Sequence, residues 1–247
     1  MAREDLSIQT GDGRCRTSVC TPADGVGPWP GVIFFMDGVG IRPVLAAMAQ
    51  RLADAGFVVL LPDLYYRAGE YDPIDVAALF GSADGRAALA PFRGSTDNRR
   101  AADDAVAFLD YLQARPDVAG TKVGTTGYCM GGGISLTVAA TAADRVGAAA
   151  SFHGGSLATD SDMSPHLLVD RIQGRVYIGA ADNDSSYPPP MAAQLVEALM
   201  AAHVEHRHDL YVGAAHGWTM ADFPVYDEAA AERHWRELVG LFDATLR

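Results

Sequence analysis

The chain has 247 residues, 49% of them hydrophobic and 20% charged, and a formal net charge of −12. That is enough apolar material for a substantial core, and it excludes a disordered, collagenous or coiled-coil chain. The acidic balance, relieved only by short cationic runs such as Arg99-Arg100 and His206-Arg207-His208, argues against nucleic acid as a partner.

The opening Met1-Ala2-Arg3-Glu4-Asp5 is charged and lacks the apolar stretch of a signal peptide. No run of about 18 apolar residues follows, so no membrane span is expected and the location expected is cytoplasmic. Over the first 25 residues, two strand-like stretches flank a turn at Gly11-Asp12-Gly13, predicting an antiparallel hairpin at a sheet edge. The hairpin carries Cys15 and Cys20. With Cys129 they make an odd count of three, which argues against a disulfide framework, and the pair reads as small buried side chains.

Short apolar runs then alternate with amphipathic stretches. The strand-like runs are 31–36, 57–61, 122–126, 146–152, 175–179 and 208–212. Their nearly uniform apolarity suits strands covered on both faces. Helical spacing places Leu45, Met48 and Leu52 on one face, and Ala102, Val106 and Leu109 on another. Leu195 pairs with Leu199, Trp235 with Val239 and Leu238 with Phe242. This alternation predicts one α/β domain over residues 1–247 with a mostly parallel, doubly wound sheet. From Tyr65 to Thr96 the chain is instead rich in Gly, Pro and Asp, with a weak helical stretch at Asp75 to Phe80; this reads as a lid, a substrate-facing insertion or a surface loop.

Gly127-Tyr128-Cys129-Met130-Gly131 joins a strand-like run to a helix-like one, the context of a nucleophile elbow. Such a turn is tight enough to strain its central residue, and glycines two before and two after remove the Cβ atoms that would collide. A cysteine at the start of a helix feels the positive helix end, which favours its thiolate, and the next backbone N–H, that of Met130, is placed for an oxyanion. The same glycines also read as a dinucleotide loop, Thr126-Gly127-x-x-x-Gly131-x-Gly133, of an NAD(P)-dependent oxidoreductase. That loop belongs near the N-terminus and should be followed by Tyr-x-x-x-Lys, yet no lysine follows Lys122. A third reading keeps the fold but makes the chain a catalytically silent binding protein.

A nucleophile needs a base and an orienting acid. Of seven histidines, His216 in Gly213-Ala214-Ala215-His216-Gly217-Trp218 follows the last strand-like run and precedes the final helix, where the base is expected. His234 lies on an apolar helix face and reads as structural. His203, His206 and His208 lack the companion ligands of a metal site, so no metal is expected, and the reaction requires no cofactor. His153-Gly154-Gly155 resembles an oxyanion motif but follows the elbow instead of preceding it. For the acid, Asp182 is preferred over Asp184 because it lies nearer the end of the 175–179 strand.

With these residues in place, the chain resembles the dienelactone hydrolase family over nearly its full length, most specifically in Gly127 to Gly132, Pro62-Asp63-Leu64-Tyr65, Asp182 and His216-Gly217. The resemblance implies an α/β-hydrolase fold and a Cys129-His216-Asp182 triad acting on a small ester or lactone. It also implies that Asp37, where relatives carry glutamate, faces the thiol and that Gly38 supplies the second oxyanion N–H. Tyr65, Trp218 and Met220 are the expected substrate contacts. Met220 stands where relatives acting on dienelactone carry a carboxylate-binding arginine; a second such arginine could be Arg67, Arg86 or Arg93.

Overall fold

The computed structural model describes residues 2–81 and 87–247. The strands are β1 (Ala2–Thr10), β2 (Gly13–Thr21), β3 (Trp29–Phe35), β4 (Val58–Pro62), β5 (Val118–Tyr128), β6 (Val146–Phe152), β7 (Arg175–Asn183) and β8 (His206–Ala215). They form one sheet in the order β1-β2-β4-β3-β5-β6-β7-β8. The first two strands make the antiparallel hairpin, with Thr10 paired to Gly13, and β2 joins β4 antiparallel; every later pairing is parallel. The expected fold class is the one observed. Parallel strands require covered faces, and β4 and the end of β5 are buried residue by residue.

The helices are α1 (Pro43–Asp54), α2 (Val76–Gly81), α3 (Ala90–Arg93), α4 (Asn98–Ala114), α5 (Met130–Thr141), α6 (Pro189–Ala201) and α7 (Glu228–Leu246). α5 is buried on nearly every side, as befits a helix whose apolar residues show no single stripe. Leu45, Met48 and Leu52 of α1, and Leu238 and Phe242 of α7, enter the core as their spacing predicts. The face assigned to α4 is corrected: Val106 is 52% exposed, and the buried stripe runs through Ala101, Ala105, Phe108 and Leu112. Cys15 and Cys20 are fully buried free thiols. No helix among the described residues is long and apolar enough to cross a membrane.

The 65–96 stretch leaves β4 through a 3-10 turn and carries α2 and α3. Leu79 and Leu89 form a small apolar cluster with Val39, just beyond β3, and Ile74, Val76 and Phe223 pack against it. This segment therefore lies over the loops that leave β3 and β8, both at the carboxyl ends of parallel strands, where open α/β sheets place their sites.

Candidate active site

β5 ends at Tyr128, and Cys129 turns the chain into α5 with φ 55° and ψ −115°. A non-glycine residue in that region is strained and persists only where its surroundings hold it. Here they do. The Cys129 N–H donates to the Phe152 carbonyl at 3.1 Å, and its carbonyl accepts from Gly132 at 3.1 Å. The glycines are sterically required: a Cβ at Gly127 would stand 1.9 Å from the Gly131 carbonyl oxygen, and one at Gly131 would stand 2.5 Å from that of Phe35. Gly132 has no room either, with Ser151 Oγ 2.4 Å from its would-be Cβ. Close packing of an elbow thus accounts for glycines that also read as a cofactor loop.

His216 follows β8, half-buried beside this turn. Its Nδ1 lies 2.6 Å from Asp184 Oδ2 and 3.1 Å from Ser186 Oγ. Burial alone would lower the imidazole pKa, but hydrogen bonds to Asp184 and the Cys129 thiol, with the charge of each, raise it to about 10. Burial pushes the Asp184 carboxyl up, yet the bonds from His216 and Ser186 outweigh it and hold the group below the usual value. Ser186, which no sequence signal marked, bonds Asp184 Oδ1 through both its hydroxyl and its N–H.

The carboxylate that His216 meets is Asp184 and not the expected Asp182. The cause lies in strand length. β7 runs on to Asn183, four residues past the expected end, so Asp182 belongs to the strand and Asp184 is the first residue beyond it. The ladder is bulged there, with Ala181 paired to Tyr211 but Asn183 to Ala215. Asp182 Oδ2 accepts the N–H of Gly213, inside the bulge, at 3.0 Å. Its role is to satisfy a backbone donor that the ladder leaves over.

Asp37 is held by its own loop and by Arg42. It sits at the exit of β3, next to Gly38, but its two oxygens bond Arg42 Nη1 and Nη2 at 2.8 Å each, and Oδ1 also accepts from the Val39 N–H. The carboxylate is committed to that guanidinium. Gly38 is buried, its carbonyl accepting from Tyr65 Oη at 2.9 Å and Arg93 Nε at 3.3 Å. Tyr65 is fully buried, and burial pushes its phenol up, with the charges of Asp37 and Cys129 close enough to add to the shift. Trp218 and Met220 are also fully buried. Trp218 stacks on Tyr211 at 4.6 Å and meets His153 edge-on at 4.9 Å, so both side chains back the histidine loop from within the core.

Among the candidate arginines, Arg67 is held by Asp104 and Asp12, Arg86 lies outside the described residues, and Arg93 stands at Gly38. Within the described residues Arg93 has no ion-pair partner. His153 closes β6 with φ 38°, fully buried beneath His216, its ring centroid 5.2 Å from that of His216. Its Nε2 bonds Thr219 Oγ1 at 2.7 Å, and burial, followed by the charges of His216 and His234, holds it well below the usual histidine value. A groove of about 560 Å³ beside the β1–β2 hairpin is lined by Arg14, Arg16 and Tyr71, and by none of Cys129, Asp184 and His216. Among the described residues no histidine, cysteine and carboxylate cluster suited to a metal ion occurs.

Known proteins resemble this chain in sequence and in fold. A relative from Synechocystis is 29% identical over 230 residues, which is 90% of this chain and 89% of its own. The carboxymethylenebutenolidase of Pseudomonas sp. strain P51 is 35% identical over 144 residues, covering 57% of this chain and 56% of the enzyme. Among solved structures, a dienelactone hydrolase-like promiscuous phosphotriesterase from metagenomic libraries superposes with a TM-score of 0.79 at 26% identity, covering 100% of this chain and 99% of that one. The dienelactone hydrolase of Anabaena variabilis does so with a TM-score of 0.70 at 21% identity, with 100% and 99% covered. The profile of the dienelactone hydrolase family matches residues 15–246, and the chain belongs to that family.

Proposed function

We propose that this chain hydrolyses an ester or lactone by two-step acyl transfer through Cys129, His216 and Asp184. The carrying observation is the arrangement of these three: a cysteine on a strained strand-to-helix turn, coupled to an imidazole whose other nitrogen is bonded to a carboxylate. An imidazole raised to about 10 keeps its proton at neutral pH, and in this reading Cys129 acts as the thiolate nucleophile beside it. The thiolate sulfur attacks the carbonyl carbon, and the C=O electron pair moves onto oxygen. Met130 begins α5, where its N–H has no intrahelical acceptor, and with the Gly38 N–H it forms the oxyanion hole. Collapse expels the alkoxide or enolate, which takes the proton of His216 and leaves a thioester on Cys129. His216, now neutral, removes a proton from water, whose oxygen attacks the thioester; the acid departs and the thiolate returns.

Thiolate chemistry favours substrates with good leaving groups, such as lactones, aryl esters and thioesters. Arg93, exposed and, within the described residues, free of an ion pair beside the Gly38 loop, supports a substrate that carries a carboxylate near the scissile carbonyl. With Met220 buried where a second arginine stands in relatives, that contact rests on one cation. The 65–96 segment acts as the lid, and the working location is the cytoplasm. The test is hydrolysis of a panel of aryl esters and lactones by the unaltered protein and by Cys129→Ala. Turnover that survives the substitution would remove Cys129 as nucleophile.

A further inference from the structure

Arg42 precedes α1, and its side chain is only 2% exposed. A guanidinium does not shed its proton in a protein, so a buried one must be matched by acceptors. Arg42 has two carboxylates. Nη1 and Nη2 take the two oxygens of Asp37 at 2.8 Å each, while Nε and Nη2 reach Asp222 at 2.6 and 3.3 Å. Nη1 also donates to the Gly40 carbonyl, and the Phe223 ring lies 5.1 Å away. One cation therefore joins the loop leaving β3, which carries Gly38, to the loop that carries His216.

The two carboxylates are unequal. The Asp222 side chain is 30% exposed, so solvent shares its charge, whereas that of Asp37 is 2% exposed and, among the described residues, has only Arg42 and one backbone N–H. Asp37 is the residue before Gly38. An unmatched aspartate there would repel negative charge gathering at the neighbouring N–H, and in a dry site that repulsion is strong.

We propose that Arg42 is a positioning residue that cancels the Asp37 charge beside the Gly38 donor and locks the oxyanion loop against the histidine loop. The role presupposes the acyl-transfer reading above, because it concerns an oxyanion formed on attack by Cys129. It also separates two steps. Attack on a carbonyl builds an oxyanion, whereas alkylation of the thiolate by iodoacetamide displaces iodide and builds none.

The experiment compares Arg42→Met, Arg42→Lys and the double variant Arg42→Met/Asp37→Asn with the unaltered protein. Arg42→Met should lower kcat on an aryl ester by roughly tenfold or more, with KM and the rate of Cys129 alkylation each kept within about threefold. Adding Asp37→Asn removes the opposing charge and should restore kcat to within about threefold of the unaltered value, and Arg42→Lys, which keeps the cation, should do as well. An Arg42→Met protein with full kcat, a loss unrelieved in the double variant, or alkylation that falls in step with kcat overturns the proposal. Should Arg42→Met fail to fold, the other two variants decide it, and a tenfold loss in both overturns it. If the unaltered protein hydrolyses no ester, it is the acyl-transfer reading that fails. The clamp is then judged on the adduct of Cys129 with a trifluoromethyl ketone, whose oxygen is anionic; affinity should drop roughly tenfold in Arg42→Met and return in the double variant, and an unchanged affinity overturns it.

Discussion

The phenol oxygen of Tyr128 lies 2.7 Å from Nε2 of His234, joining the residue before Cys129 to the final helix, α7. Nδ1 of the same ring lies 3.0 Å from the Ala231 carbonyl, which makes Nδ1 the donor and Nε2 the acceptor of the Tyr128 hydroxyl. Both residues are fully buried, so the elbow is anchored from below by a neutral polar contact.

That contact has a pH signature. Burial, outweighing the Ala231 bond, lowers the His234 pKa to about 3. Unfolded, the ring takes up a proton near pH 6.5, so between about 6.5 and 3 the unfolded state binds more protons and stability falls as pH falls. Thermal melts between pH 7 and 4 should show this decline, and His234→Leu should flatten it by the share of one proton while lowering the melting temperature at pH 7.

Asp184 and Asp182 should separate cleanly in kinetics. Asp184→Asn removes the acceptor that orients His216 and should cut kcat on the order of a hundredfold or more. Asp182→Asn disturbs the Gly213 N–H contact at the β8 bulge and should cost about 1 kcal/mol of stability, read from urea midpoints, with kcat within about threefold. The reverse pattern would restore Asp182 as the acid.

His216 should report its partners directly. With the imidazole raised to about 10, its proton persists through neutral pH, and the stability this proton contributes is fully present below about 6.5 and is lost as pH rises through 10. Cys129→Ala removes one of the two groups that raise it, so the His216 resonances followed by NMR should titrate at least about one pH unit lower. An unmoved titration would mean that the thiol and imidazole are not coupled.

Arg93→Ala should discriminate between substrates. For an ester bearing a carboxylate, KM should rise roughly tenfold or more, the scale of one charge-assisted contact. A neutral aryl ester should be hydrolysed with KM and kcat nearly unchanged. Equal losses on both would make Arg93 a support of the Gly38 loop alone.

Much of this was legible in the chain itself. The elbow declares its spacing because steric exclusion acts between residues four or five apart, as with Gly127 and Gly131. The histidine was readable from its place after the last strand. The acid was harder, because apolarity stops at Gly179 to Ala181 while the ladder continues through Asp182 and Asn183. Polar residues at a strand end look like a loop until the neighbouring strand supplies the pairing. Arg42 and Asp222 carry no signal of each other across 180 positions. The buried pairing of Asp37 with Arg42, five residues apart, could have been suspected from the sequence, but not that both oxygens of Asp37 would be taken by it. Val106 fell on the wrong face because small alanines share the buried stripe of α4 with Phe108, Leu109 and Leu112, which leaves its apolar side chain outside.

The elbow leaves protein engineers a narrow but useful freedom. Gly127, Gly131 and Gly132 have no room for even a methyl group, whereas the turn holds Cys129 through its backbone alone. The sulfur proposed to attack is thus interchangeable without touching the scaffold. A serine, or a selenocysteine, placed at 129 would inherit the same turn and the same imidazole, and any change in which bonds are cleaved would report the intrinsic reactivity of that one atom.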